Sequence, residues 1–195
     1  MNFRTYIRTY PITCGLIGVI LFVFLLMTLA GGSEKTWVLI AFGAKYKPAI
    51  QNGEYWRLIT CNFLHIGFMH LVLNMVALIS LGGLAETLFR KVRYGLLILL
   101  SGVGASAASL VFNPDATSAG ASGSVFGLVG ALMAYAWKDP RFRSSGIVSS
   151  LVVLVIINLI FGFTMPYIDN AGHIGGLISG LVIGGVFRLF QRPVS

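Results

Sequence analysis

Apolar residues along this chain are gathered into six long stretches, separated by short polar or charged breaks. They run from about Ile12 to Ala30, Ile66 to Gly83, Tyr94 to Phe112, Gly120 to Trp137, Gly146 to Thr164 and Ala171 to Phe190. Each is close to the roughly 20 apolar residues that a helix needs to cross the hydrocarbon core of a bilayer. The pattern therefore predicts an all-α membrane protein, a six-transmembrane-helix bundle formed by a single domain over residues 1–195. A cleaved signal peptide is another use of an apolar stretch behind Arg4 and Arg8. Here the apolar core exceeds the usual length of roughly 7 to 15 residues, and no small-x-small cleavage site follows it.

The connections differ in kind. Between Gly31 and His65 the chain mixes Trp37, Val38, Leu39, Ile40, Phe42, Tyr46, Tyr55 and Trp56 with scattered charge. It is too polar to span and too apolar to float free, so the expectation is an interfacial outer loop between the first and second helices, aromatic rings at head-group level. The connections Glu86 to Arg93 and Lys138 to Arg143 are short and basic, and Pro140 cannot continue the fourth helix. Asn113 to Ala119 and Met165 to Asn170 each carry a proline and an acid, as turns commonly do.

Composition agrees: 56% of the 195 residues are hydrophobic and 10% charged, with mean hydropathy +0.87, whereas soluble domains carry about 25% charged residues. Arg4, Arg8, Arg90, Lys91, Arg93, Lys138, Arg141, Arg143, Arg188 and Arg192 fall on one side of the six spans, and Lys35, Lys45, Lys47 and Arg57 on the other. The positive-inside rule then places both termini in the cytoplasm, and the expected location is the inner (plasma) membrane. The net charge of +8 reads as topology and contact with anionic lipid. No nucleic-acid motif accompanies it. Cys14 and Cys61 read as two free thiols.

Small residues form rows. Gly172, Gly176, Gly180 and Gly184 recur every four residues in the sixth stretch, as do Gly123, Gly127 and Ala131 in the fourth. Four residues make slightly more than one helical turn, so each row is one flat face, and such faces let helices approach closely in lipid. The fourth and sixth helices are expected to touch along them.

Few groups could carry chemistry. The chain has three histidines, His65, His70 and His173, and the deep amides are Asn74 and Asn158. With the amino terminus inside, the even-numbered helices all begin on the outer side. His70 and Asn74 lie early in the second, Ser122 opens the fourth and His173 opens the sixth, so the four converge at one depth. His70 and Asn74, four apart, share a helical face. Ser122 stands at a helix N-terminus with free N–H groups, and His173 lies beside the glycine row facing the fourth helix. That brings Ser122 and His173 into hydrogen-bond range, as an activated serine nucleophile requires. The fourth helix, at about 27 Å, is slightly short for the bilayer, so the connection before it dips inward toward water.

Taken singly, each residue has a blander role: Ser122 in helix packing, His70 and Asn74 as interhelical glue, His173 as a capped or pore-lining group. Three histidines can also hold zinc, in a metallohydrolase or transporter, but no His-Glu-x-x-His and no buried carboxylate accompany them.

Over nearly its whole length the chain resembles the rhomboid proteases in their minimal six-helix prokaryotic form. The resemblance rests on Glu54-x-Trp56-Arg57, His65-x4-His70-x3-Asn74, Gly82-Gly83-x2-Glu86, Gly120-Ala121-Ser122-Gly123 and His173-x2-Gly176-x3-Gly180. It implies an intramembrane serine endopeptidase needing no cofactor and no metal, with transmembrane protein substrates cut within or near the outer half of the bilayer. Ser122 would be its nucleophile, His173 the general base, and His70 and Asn74 the oxyanion donors. Glu54, Trp56, Arg57 and Glu86 would be structural. Two departures stand out: Cys61 where some members have histidine, and Phe126 where some have tyrosine, an aromatic ring that can still pack on His173. Asp169, four residues before His173, reads as a solvated turn residue, and the resemblance implies a dyad. A rhomboid-like protein that binds membrane clients without cutting them is the alternative. The fifth stretch lacks a glycine row and carries Phe161 and Phe163 at its outer end, before Met165-Pro166, where they would close a lateral substrate gate.

Overall fold

The computed structural model describes residues 2–137, 139–164 and 168–190. Among them the architecture is helical, with a single isolated bridge pairing Lys45 and Ser118. Five helices are long and apolar enough to cross a membrane: α1 (Pro11–Leu29), α2 (Gly67–Phe89), α3 (Lys91–Phe112), α5 (Ile147–Thr164) and α6 (Asn170–Leu189). A shorter apolar helix, α4 (Ser122–Trp137), lies between α3 and α5 in the chain. Lys138, Arg192 and Met165-Pro166, on which parts of the charge pattern and the gate rest, lie outside the described residues.

The second stretch departs from expectation. Its helix continues six residues past Gly83 to Phe89, widening to a π turn over Leu78–Gly82, and Arg90 alone separates it from α3. The supposed connection from Glu86 to Arg93 is thus one residue at φ +64°. Glu86 is the reason that hydropathy misplaced the boundary. Its charge looks like a helix end, yet it is buried and caps α1. One carboxylate oxygen accepts from the Ile12 N–H at 3.0 Å, and the other accepts from the Thr13 N–H at 2.9 Å and the Thr13 hydroxyl at 2.8 Å. An anion at a helix N-terminus satisfies otherwise orphaned donors, so the carboxylate is affordable inside the bundle.

The glycine rows do meet. A Cβ built on Gly176 would collide with the Gly123 carbonyl, one on Gly180 with the backbone of Gly127, and one on Gly184 with Ala131 at 2.6 Å from its Cα. A second small face was missed by the four-residue count. On α6, Gly175 meets Gly104 and Ala108 of α3, and Ser179 fills the space beside Gly104. Helix α4, pressed by α3 and α6, is buried at most of its positions, while α5 buries only Leu151 and Gly162. Close backbone contact replaces side-chain interdigitation here, the form of packing that lipid favours.

The segment before α2 is built from short helices, Thr36–Phe42, Lys47–Gln51 and Arg57–Thr60, and a 3-10 turn at Cys61–Phe63. Arg57 ties it together: it pairs with Glu54 at 2.7 Å and donates to the carbonyls of Ile40 and Ala44. Val38, Leu39, Ala44 and Leu64 pack inward around Met27, whereas Trp37, Tyr55 and Trp56 are exposed.

Candidate active site

Helix α4 begins at Ser122, so the serine occupies its first turn, where N–H groups lack intrahelical partners. The approach is pinned from the short 3-10 turn and the start of α2: Gly120 N–H donates to the Cys61 carbonyl at 2.9 Å, and Ala121 N–H to His65 Nε2 at 3.4 Å. His65 has no exposed surface. Its motif position was visible in the sequence, but this job, holding the residue before Ser122, was not.

Helix α6 starts at Asn170 with Asp169 as its N-cap, which places His173 in its first turn. The glycine register then sets the imidazole against Ser122, with His173 Nε2 2.9 Å from Ser122 Oγ. Phe126, one turn along α4, stacks flat on the imidazole at 4.3 Å between centroids and 8° between planes, which limits ring rotation. For Nε2 to accept the serine proton, Nδ1 must carry the ring hydrogen. Nδ1 is buried without a hydrogen-bond partner. The pair thus stands at the distance that a Ser–His dyad requires.

Asp169 is more than a solvated turn residue. Its carboxylate accepts from Gly172 N–H at 3.1 Å, from the Ser118 hydroxyl at 2.7 Å and from the Ser109 hydroxyl. An Asp three residues ahead of the Gly172 N–H is an N-cap signal that the sequence did contain.

His70 lies across the site. Its Nδ1 accepts from Ile66 N–H at 3.3 Å, which leaves the hydrogen of the neutral ring on Nε2. A Cβ built on Gly120 would sit 2.9 Å from His70 Nε2 and 3.7 Å from Ser122 Oγ. The missing side chain of Gly120, at φ +143° where glycine is at ease, therefore leaves a space that both groups border. Such a space beside a helix N-terminus, with an N–H donor facing it, is chemically suited to a developing oxyanion. Asn74 is buried one turn further along α2 and donates one amide hydrogen to the His70 carbonyl at 2.9 Å. An amide nitrogen has two hydrogens, and this bond uses one of them.

Phe161 and Phe163 are 54% and 76% exposed on α5. Both cysteines are free, and Cys61 contacts Ser106 at 3.1 Å. Among the described residues no group of three or more His, Cys, Asp or Glu is placed to hold a metal ion.

Known proteins are similar to this chain over most of its length. Residues 52–190 match the family model described as Rhomboid domain. The chain is 45% identical over 166 residues to "Rhomboid protease GluP" of Bacillus subtilis (strain 168), covering 85% of this chain and 32% of that protein. It is 40% identical over 153 residues to "RHOMBOID-like protein 4" of Arabidopsis thaliana, covering 77% and 38%. "Inactive RHOMBOID-like protein 8" of the same plant is 34% identical over 139 residues, covering 70% and 39%. The chain thus spans a third to two fifths of the length of these relatives. With the family model matched over most of the chain and a relative at 45% identity, the protein belongs to the rhomboid family.

Proposed function

We propose that this protein is an intramembrane serine endopeptidase that cuts transmembrane-segment substrates within or near the outer half of the bilayer. The observation that carries this reading is the 2.9 Å contact between Ser122 Oγ and His173 Nε2. Ser122 attacks the scissile carbonyl as His173 takes its proton, and the same imidazolium then protonates the leaving amine. Charge developing on the carbonyl oxygen falls into the space beside Gly120, met by the Ser122 N–H, by His70 and by Asn74. Each donor of this kind contributes roughly 3 to 4 kcal/mol in soluble serine proteases.

In this reading residues 1–195 form one membrane unit. All six helices cross the plasma membrane with both termini cytoplasmic, α4 being accommodated by the inward-dipping connection before it. The segment from Gly31 to His65 rests in the outer interface on its exposed Trp37, Tyr55 and Trp56 rings.

The test is covalent labelling by a fluorophosphonate, with the adduct mapped by mass spectrometry. A single adduct on Ser122 is expected, with His70→Ala and Asn74→Ala each slowing its formation about 10- to 1000-fold while weakening reversible binding little. An adduct on another residue would reject the assignment.

Substrate entry is proposed to run past the outer end of α5, which is loosely packed and carries the exposed Phe161 and Phe163. Phe161→Ala or Phe163→Ala is expected to raise turnover of a single-span membrane substrate several-fold, while leaving fluorophosphonate labelling unchanged. Equal turnover in both variants would mean that the two rings merely face lipid.

A binding-only role is the second reading, favoured by similarity to a relative named as inactive. Against it stand a serine and a histidine in contact at the site.

A further inference from the structure

Two charges, the buried Lys45 and the half-buried Asp169, lie beside the dyad and take no part in it. Lys45 has no exposed surface and donates through Nζ to the Asn113 carbonyl at 2.8 Å. Its backbone pairs in both directions with Ser118, at 2.9 and 3.1 Å. The Ser118 hydroxyl, together with that of Ser109 near the end of α3, donates to Asp169. The second Asp169 oxygen accepts from Gly172 N–H, and its backbone carbonyl accepts from His173 N–H at 3.0 Å. Segments distant in sequence therefore meet at one carboxylate. Ser118 stands four residues before Ser122, and Asp169 four before His173.

We propose that Asp169 is a positioning residue for the reaction: with Ser109, Ser118 and Lys45 it locks the approaches to Ser122 and His173 to each other, so that the dyad distance is set before substrate binds. The inference rests on the reading of Ser122 and His173 as the reacting pair.

Electrostatics suit this role. Burial alone would raise the Asp169 pKa, but the bonds from Ser109, Ser118 and Gly172 and the charge of Lys45 outweigh it, so the carboxyl lies below its ordinary range and stays ionised. An ionised carboxylate is acceptor-only and can take several donors at once. A neutral asparagine retains one acceptor oxygen for the Gly172 cap but presents N–H groups where the hydroxyls now donate. The hydroxyls can rotate to accept, so Asp169→Asn preserves part of the lock and Asp169→Ala none of it. Lys45→Met leaves the carboxylate without its nearby cation.

The experiment measures kinact and KI for fluorophosphonate labelling of Ser122, alongside thermal unfolding of each variant. A displacement of about 1 Å between reacting groups costs on the order of 100-fold in rate. Asp169→Ala is therefore expected to lower kinact about 100-fold with KI within about two-fold, and Asp169→Asn to recover to within about ten-fold of the parent. A folded Asp169→Ala protein with unchanged kinact, or one whose whole loss falls in KI, overturns the proposal. Should Asp169→Ala not fold, Ser118→Ala and Ser109→Ala decide: each keeps the carboxylate and its cap but removes one bond, and unchanged kinact in both overturns it equally. Failure of the underlying dyad is told apart by its own sign, an adduct that still forms in Ser122→Ala.

Discussion

Ser122→Ala and His173→Ala are each expected to abolish cleavage of a single-span membrane substrate while leaving a folded protein in the membrane. The serine supplies the attacking oxygen, and its loss leaves nothing for His173 to activate. In soluble serine hydrolases, removing either member of such a pair lowers kcat by about 10⁶, because the two act as one unit. A fall of at least about 10⁴ is therefore expected in each variant, and the double variant should be no worse than either single one. Folding should survive. Ser122→Ala removes one hydroxyl and a hydrogen bond contributing about 1 kcal/mol, whereas the backbone contacts that seat α4 against α6 are untouched. The measurement is turnover of purified, reconstituted protein, with binding of the same substrate followed in parallel. Cleavage by purified Ser122→Ala would remove the mechanism. Binding without cleavage by the parent would favour the client-binding reading.

The largest effect on stability is expected at Gly180. A Cβ there would meet the Gly127 carbonyl carbon at 2.5 Å and its Cα at 2.6 Å, and those are backbone atoms that cannot rotate aside. Gly180→Ala must therefore push α6 away from α4, at a cost of about 3 kcal/mol or more, and larger residues more still. Gly185 is the control. It is five residues along the same helix and has no heavy atom within 4 Å of a built Cβ. Gly185→Ala should be neutral or stabilise by at most about 1 kcal/mol through helix propensity. Thermal unfolding in detergent distinguishes the two. Equal midpoints for the two variants would show that α4 and α6 do not depend on that contact. Because the same face seats His173 against Ser122, any folded fraction of Gly180→Ala should also label slowly.

The sequence by itself determined the helical architecture, the polar groups and their register. Membrane helices announce themselves by composition, because lipid leaves backbone polar groups no partner except their own helix. A four-residue repeat of glycine names a contact face without any knowledge of its partner, and two such repeats, on the fourth and sixth stretches, were enough to anticipate that Ser122 and His173 come within hydrogen-bond range. Phe126 stacks on His173, as the family resemblance implied.

Only the tertiary structure decided what each isolated charge does. Glu86 looked like the end of a helix and is the cap of another one, because a carboxylate is tolerated among apolar helices once distant N–H groups reach it. Asp169 looked like a solvated turn and holds hydroxyls from Ser109 and Ser118, and Lys45, read only as an outside charge, has no exposed surface. His65 shows the same gap: its partner, the Ala121 N–H, lies 56 residues away. Helical spacing is a local property, so it can be read along the chain. The partner of a buried polar group is chosen by packing between segments far apart in sequence, and no local pattern contains that choice.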